Sequence, residues 1–493
     1  MILALDIGTS STRALLFDAL GHKIGASSHI EYSQHTTHDG GVECDASHLF
    51  ELTATCIDRV LELHSHLEIA AVAVSCFWHS LLGVDENDFA MTPLFSWADN
   101  RSAPYVAALK SWLDEDASHA RLGCVFHTSY WPSKLLWLQH TRPELWTSST
   151  RCARWIGFGE YLRAQLCGEA QMSLSMASGT GIFHQNDCDW DDEILRVLPI
   201  ERDQLPSLID CHEVLGDLLP EYQKRWPQLT QSKWFPAVGD GACSNIGSGC
   251  VDRNRVALNV GTSGALRVVL DDVEYAMSAP RGLWRYRIDR NRVLLGGALS
   301  NAGNLWAWCE RNFRLPHDVE YSMSFMQPDA HGLTVLPFLA GERAPLWNAD
   351  ARFVLAGANL DTTSSEVARA CLEASSLRFA AVFQLLQSAL QTMPNATSST
   401  RCVEIVASGG ALSKSKVWSQ IMADCLGATL VHSSESEASA RGAALLALES
   451  LGVLDLSQMP VDKGAIVEPN AQSHAIYARA LERQNALYRK LYG

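Results

Sequence analysis

The chain has 493 residues, 47% hydrophobic and 19% charged, which describes globular architecture with about three domains by length alone and excludes a disordered chain. Its 39 basic and 55 acidic side chains leave a net charge of −16, which excludes a protein that binds nucleic acid or an anionic membrane through bulk charge. Anionic small molecules stay within reach, because an electropositive site can be built locally.

Met1-Ile2-Leu3-Ala4-Leu5-Asp6 carries no basic stretch and meets an acid at its sixth residue, so it does not read as a signal peptide. No apolar run approaches the roughly 20 residues that cross a bilayer, and a soluble, cytoplasmic chain is expected. Residues 4–10, Ala-Leu-Asp-Ile-Gly-Thr-Ser, predict a strand that breaks at Gly8, Thr9 and Ser10 and returns through Ala14 to Phe17 as a β-hairpin. Another strand is predicted over 70–74, leading into Phe77-Trp78-His79-Ser80. Residues 257–263, Ala-Leu-Asn-Val-Gly-Thr-Ser, repeat the first hairpin 253 residues later and continue into a second apolar run, Ala265 to Leu270. Five of the seven positions are identical and the other two are Asp/Asn and Ile/Val, which points to duplication of one α/β domain. The expected count falls to two domains, over 1–250 and 251–455, with a C-terminal piece over 456–493.

Farther along, Val403 to Ala407 predict a strand, Ser408-Gly409-Gly410-Ala411 a turn, and Val417, Ile421 and Cys425 the buried stripe of a helix. Strand, Gly-Gly turn and helix let a flat backbone meet a base or ribose closely. Arg441-Gly442-Ala443-Ala444 starts an alanine-rich helix whose small residues permit close packing, and Ser473 to Tyr492 predict a last helix that packs back on the body. No Ser/Gly-rich linker separates the halves, so a short hinge is expected, with closure that keeps water away from the chemistry. The fourteen cysteines are never closer than seven residues apart, which excludes CxxC metal sites and argues against a disulfide framework. They read as small core hydrophobes in a reducing compartment.

The paired Gly-Thr-Ser turns suit phosphate. Glycine lets backbone approach a ligand, successive N–H groups form an anion-binding concavity, and Thr and Ser add uncharged donors. Facing each other across a cleft, two such turns would hold a polyphosphate chain from both sides. Asp6 in the first copy would hold hydrated Mg²⁺, while Asn259 at the matching position of the second avoids repelling phosphate.

On these residues the chain resembles the FGGY carbohydrate kinases of the actin/Hsp70/sugar-kinase superfamily, over nearly its whole length. The markers, in order, are Asp6-Ile-Gly-Thr-Ser-Ser-Thr-Arg13, Trp97-Ala-Asp-Asn-Arg-Ser102, Gly239-Asp-Gly241, Asn259-Val-Gly-Thr-Ser263, Gly341-Glu-Arg-Ala-Pro-Leu-Trp347 and Ser408-Gly-Gly-Ala411. The resemblance implies an α/β protein with two ribonuclease-H-like domains around a central cleft that holds ATP and sugar. It implies that Asp240 is the general base and touches the acceptor, and that Asp6 positions Mg²⁺. Thr9, Ser10 and Arg13 would approach the phosphates from one side, and Gly261, Thr262 and Ser263 from the other. Gly303, Gly409, Gly410 and Ala411 would contact nucleotide; Trp78, His79 and Tyr130 would contact the sugar.

Within the family, Trp97 to Ser102, His79-Ser80 and the 341–347 run look most like gluconate kinases, so gluconate is the expected acceptor. Xylulose, another pentulose or a polyol is the alternative. A sugar acid needs a cation or several donors for its carboxylate. His79, His127, Lys134 and Arg101 are the candidates, with a salt bridge to Asp99 or a neighbour the competing role for Arg101. The chain departs from the family pattern in a bulky Trp78, a changed 127–133 loop, Arg13 in place of the usual Lys, and Phe353 in place of Gly. A non-catalytic sensor and an actin- or Hsp70-like ATPase are the rival classes. The presence of both Asp6 and Asp240 opposes the first, and the sugar-loop matches oppose the second. Family members are often oligomeric, so a homo-oligomer is possible by analogy.

Overall fold

The computed structural model describes residues 1–147, 151–271, 279–392, 404–459 and 463–493. Strand β1 (Ile2–Ile7) is buried over almost its whole length, as a central strand covered on both faces must be. It pairs antiparallel with β2 (Ser11–Phe17), with Leu5 opposite Ala14, and the turn between them is closed by the Gly8 N–H donating to the Ser11 carbonyl at 2.9 Å. Strand β3 (Lys23–Glu31) continues the meander. Helix α1 (Ala46–Leu63) begins where Asp45 accepts from the Ser47 and His48 N–H groups, and it packs a buried face on the sheet. Strand β4 (Ala71–Cys76) then enters parallel to β1, and β5 (Lys233–Gly239) parallel to β4. Helix α2 (Asp240–Gly247) follows directly.

The second half repeats this plan. Strand β6 (Arg255–Val260) pairs antiparallel with β7 (Gly264–Leu270), and β7 with β9 (Val293–Leu299); β8 (Trp284–Arg287) flanks β9. Helices α3 (Gly303–Asn312) and α4 (Ser364–Thr392) come next. Strand β10 (Glu404–Ser408) runs parallel to β6 and leads to helix α5 (Lys416–Leu426), and β11 (Leu430–Ser433) runs parallel to β10. The strand orders are β5-β4-β1-β2-β3 and, within the seven-stranded sheet, β11-β10-β6-β7-β9. Both have two parallel strands, the hairpin, and an antiparallel third strand. The repeat seen in seven residues is therefore a repeat of whole five-stranded sheets. The predicted strand at 403–407 is observed as β10, with Val403 outside the described residues.

Helix α6 (Ala438–Ser450) follows β11 in the chain but packs on the first sheet. Ala440, Ala443, Ala444 and Leu445 belong to the same buried cluster as Leu3, Ala4 and Ala73. The close approach depends on small residues: a Cβ added to Gly442 would lie 1.8 Å from the Cys243 carbonyl oxygen on α2. Arg441 bonds the Gly21 and Gly247 carbonyls, at 3.0 and 2.7 Å. A division of the chain at about 251 and 455 therefore assigns this helix by chain order, whereas its packing joins it to the first core. Strand β12 (Lys463–Val467) closes the second sheet, and α7 (Ala471–Tyr492) packs Tyr477, Ala480 and Leu481 into the second core. The thirteen described cysteines are free and most are buried; Cys402 lies outside the described residues. Among the described residues, no helix is long and apolar enough to cross a membrane.

Candidate functional site

Three cavities are joined by shared residues; the first two are lined by both halves of the chain and the third by the second half. The first, of about 290 Å³, is lined by Thr9, Trp78, His79, Trp97, Asp240, Ser263, Arg267, Trp284, Tyr286 and Arg343, among others. The second, of about 460 Å³, contains Asp6, Arg13, Ser408, Gly409 and Glu437, and shares Ser244, Asn259 and Ser439 with the first. The third, of about 730 Å³, is lined by Gly261, Thr262, Gly303, Trp306, Ala411 and Trp418, and shares Gly410 with the second. The sequence is thus a small aromatic chamber, a polar passage between two glycine turns, and a larger chamber floored by α3 and α5.

Asp240 starts α2 at the end of a buried strand, where its carboxylate accepts the Gly241 N–H at 2.8 Å. Burial raises its pKa, and Arg267, the Gly241 and Trp78 N–H groups and Arg343 pull the other way. Trp78 forms one wall. Its indole N–H donates to the Ser175 carbonyl at 2.9 Å, and Tyr286 lies 5.1 Å away, itself stacked on Trp284 at 4.3 Å. The indole fits because its neighbours lack side chains: a Cβ on Gly239 would come within 1.9 Å of the ring. The bulk of Trp78 is accommodated by the glycines beside Asp240 and does not block the chamber.

Asp6 accepts from Ser75 Oγ at 3.0 Å and lies 3.9 Å from Arg13, which is paired more closely with Glu437 at 2.8 Å. Burial lifts the Asp6 carboxyl to about 6; Arg13 and the Ser75 bond oppose the shift, and the charges of Asp240 and Glu437 add to it. Opposite, Asn259 Nδ2 donates to Ser408 Oγ at 3.1 Å. The Gly303 and Asn304 N–H groups donate to the Gly261 and Thr262 carbonyls at 2.9 and 3.0 Å, tying the start of α3 to the second turn. Gly409 has φ of +96°, and a Cβ there would lie 2.4 Å from the Val260 carbonyl oxygen. This packs the β10 turn against the β6 turn and brings both to the passage.

Residues 1–247 match the N-terminal domain, and 256–451 the C-terminal domain, of the FGGY family of carbohydrate kinases. The chain belongs to that family. The kinase is 30% identical to the gluconokinase of Bacillus subtilis (strain 168), over 92% of this chain and 88% of the relative. It is also similar to two solved structures from Lactobacillus acidophilus, each with a TM-score of 0.90. One is a ligand-bound xylulose kinase, 29% identical, with 99% of this chain and 98% of that chain covered. The other is a gluconate kinase, 28% identical with the same coverage. The two-domain α/β fold and the ATP-dependent phosphotransferase class follow from the family.

Most of the residues expected from sequence come together in this kinase. Thr9, Trp78, His79, Asp240 and Ser263 line the first cavity, Asp6, Arg13 and Gly409 the second, and Gly261, Thr262, Gly303 and Ala411 the third, with Gly410 between the last two. Ser10 lines none of them; it is exposed, and its carbonyl accepts from Tyr32. Tyr130 is behind the wall, where its hydroxyl bonds that of Tyr286 at 2.6 Å and its ring meets His79 edge-on at 5.1 Å. The second domain supplies the aromatic that reaches the cavity in its place. Phe353 packs on Trp308 at 4.8 Å, away from all three cavities.

The expected carboxylate partners are otherwise engaged. Arg101 is paired with Asp99 and Glu43 and lies over the Trp137 ring at 4.5 Å, so the salt-bridge role holds. Lys134 is buried and donates to the Thr128 and Ser129 carbonyls at 2.6 and 2.8 Å; burial pulls its pKa down to about 7. His79 and His127 are held near 3, by burial first and then by Arg343, so both imidazoles are neutral at pH 7. The cations that line the cavity are Arg267 and Arg343, which sequence reasoning did not single out. The signals were present: Arg267 lies in the apolar run after the second Gly-Thr-Ser turn, and Arg343 inside the 341–347 marker. Trp284 and Tyr286 carried no sequence signal.

Proposed function

We propose that this kinase transfers the γ-phosphoryl group of Mg²⁺-bound ATP to a terminal hydroxyl of a sugar acid, with gluconate the first acceptor and 6-phosphogluconate the product. The observation that carries the reading is the cleft itself: Asp240 in a small chamber that opens, through residues shared with a polar passage, toward a larger chamber. The acceptor occupies the small chamber, the phosphates the passage, and the nucleoside the large one. The first domain supplies the base with Trp78 and His79, and the second supplies Trp284, Tyr286 and the two arginines of the small chamber together with most of the nucleotide contacts.

In the transfer, the acceptor oxygen bonds to the γ-phosphorus as its bond to ADP breaks, and the hydroxyl proton passes to the Asp240 carboxylate. The raised pKa of Asp240 suits a base. Thr9 and Ser263 donate to the transferred group from opposite sides, and Arg13 approaches the phosphates once they compete with Glu437 for it. Mg²⁺ fits beside Asp6, whose buried carboxylate is only partly compensated by Ser75 and Arg13. The ion commonly takes one or two carboxylates together with water and phosphate oxygens. When bound, it neutralises charge on the β- and γ-phosphate oxygens.

Gluconate is preferred to a neutral acceptor because the small chamber carries two guanidinium groups, and because of the similarity to a gluconokinase. A pentulose such as xylulose is the second reading, favoured by the equal structural likeness to a xylulose kinase. The test is ADP release with ATP, Mg²⁺ and a panel of sugar acids, ketoses and polyols. Gluconate-dependent release, with a higher kcat/KM than any neutral acceptor, is expected. Equal release without acceptor would instead make the protein an ATPase, and silence on the whole panel a sensor.

A further inference from the structure

We propose that Arg343 is the residue that binds the acceptor's carboxylate and thereby sets the preference for a sugar acid. The assignment rests on the sugar-acid reading and adds to it a residue and an orientation. Among the described residues, the Arg343 side chain has no hydrogen bond and no ion pair, and its Nε is buried without a partner. Lys134 and Arg101, by contrast, are engaged by carbonyls and carboxylates. A guanidinium without a partner on a cavity wall is suited to a carboxylate, which accepts two parallel N–H bonds from it.

The group is also held in place. Its charge lies 5.3 Å from the Trp97 ring and 5.9 Å from the Trp347 ring, so two indoles stabilise it without neutralising it. The short segment that carries it is pinned on both sides. Asn301 donates to the Gly341 carbonyl at 2.8 Å, the neighbouring Glu342 is paired with buried Arg378 at 2.7 Å, and the Ala344 N–H donates to the Ala298 carbonyl at 3.0 Å. A site fixed in this way loses little freedom on binding.

Arg267 is the competing cation, and its position argues for a different task. Its Nη1 donates to the Gly241 carbonyl at 2.7 Å, and it acts on Asp240 more strongly than Arg343 does. A carboxylate at Arg267 would sit where the reacting hydroxyl must meet Asp240. Arg343 instead has the neutral rings of His79 and His127 among its neighbours. An acid bound there by its carboxylate extends its far hydroxyl toward Asp240, so the molecule enters in one orientation.

The test compares Arg343→Met and Arg343→Lys with the wild type, all checked for the same melting temperature. In Arg343→Met, KM for gluconate is expected to rise about 100-fold, with a much smaller change in kcat and less than a threefold change in KM for ATP. Arg343→Lys keeps the charge but not the paired donors, and should recover part of the loss. A gluconate KM within threefold of wild type in folded Arg343→Met would overturn the assignment. So would parallel rises in both KM values, which mark a general defect of the cleft. A wild-type enzyme that prefers a neutral pentulose would overturn the sugar-acid reading and this assignment together, and it would be seen before any substitution is made.

Discussion

Asp240, proposed as the base, lines the small chamber beside Trp78 and Arg267. Two flanking glycines read as an open turn; the structure instead starts helix α2 at Asp240 straight after β5, and it shows why 239 must be bare: the Trp78 indole fills the space that a side chain there would occupy. Asp240→Asn removes the proton acceptor while keeping the shape, and kcat should fall by about 100-fold or more with little change in either KM. Near wild-type turnover in a folded variant would sink the assignment. The pH profile follows from the same group. A base must be deprotonated, and its pKa lies above the usual carboxylate value, so kcat/KM should fall on acidification earlier than for an ordinary aspartate. The cations were harder to read. Arg101, Lys134, His79 and His127 were as basic on paper as Arg343, but a sequence lists charges without their partners. Asp99, two carbonyls and burial remove the first four, and only the pairing pattern leaves the fifth.

At the scale of elements, the two hairpins were legible because a strand, a Gly-Thr-Ser break and a returning strand are local features. The β10 turn was equally visible, but its constraint was not. Gly409 is in the left-handed region and its α-carbon lies against the β6 backbone, so an added methyl group meets both backbone strain and a carbonyl oxygen. Gly409→Ala should displace this turn and raise KM for ATP about tenfold, on roughly 1–3 kcal/mol of strain, with a smaller effect on the acceptor KM. Titrating both substrates checks this; an acceptor KM that rises as much as that for ATP would count against a nucleotide-side role. The aromatic wall was only half visible. Tyr130 looked like a sugar contact because it sits at the matching position in the sequence, yet strand β8 places Tyr286 in front of it.

The whole molecule carries a conflict between stability and function in the passage between the two chambers. Asp6 titrates at about 6 in the folded protein, against 3.8 for an ordinary aspartate. The native state therefore holds this proton more tightly than the unfolded chain, and its stability falls as pH rises from about 4 through about 6. Ionised Asp6 is a full cost above that window and none below it. Asp6→Asn should stabilise the ligand-free protein by about 1–3 kcal/mol at pH 7.5, with the gain vanishing below about pH 4, while phosphoryl transfer is lost. Denaturant melts at the two pH values, together with turnover, measure both halves; a destabilised variant at pH 7.5 would show that the ion pair with Arg13 outweighs burial.

By itself the amino-acid sequence determined the two-domain duplication and the kinase family, and it supplied the residues on which the phosphate turns and the Gly-Asp-Gly base are proposed. Each depends on short-range chemistry: which residues allow a tight turn, which carry a carboxylate, and which alternate as a strand. The tertiary structure alone decided that α6 joins the first core despite its place in the chain, that Tyr286 displaces Tyr130 from the wall, and that Arg343 keeps a free charge. Those outcomes depend on contacts between residues far apart in sequence, where packing volume and the competition for hydrogen-bond partners select the arrangement.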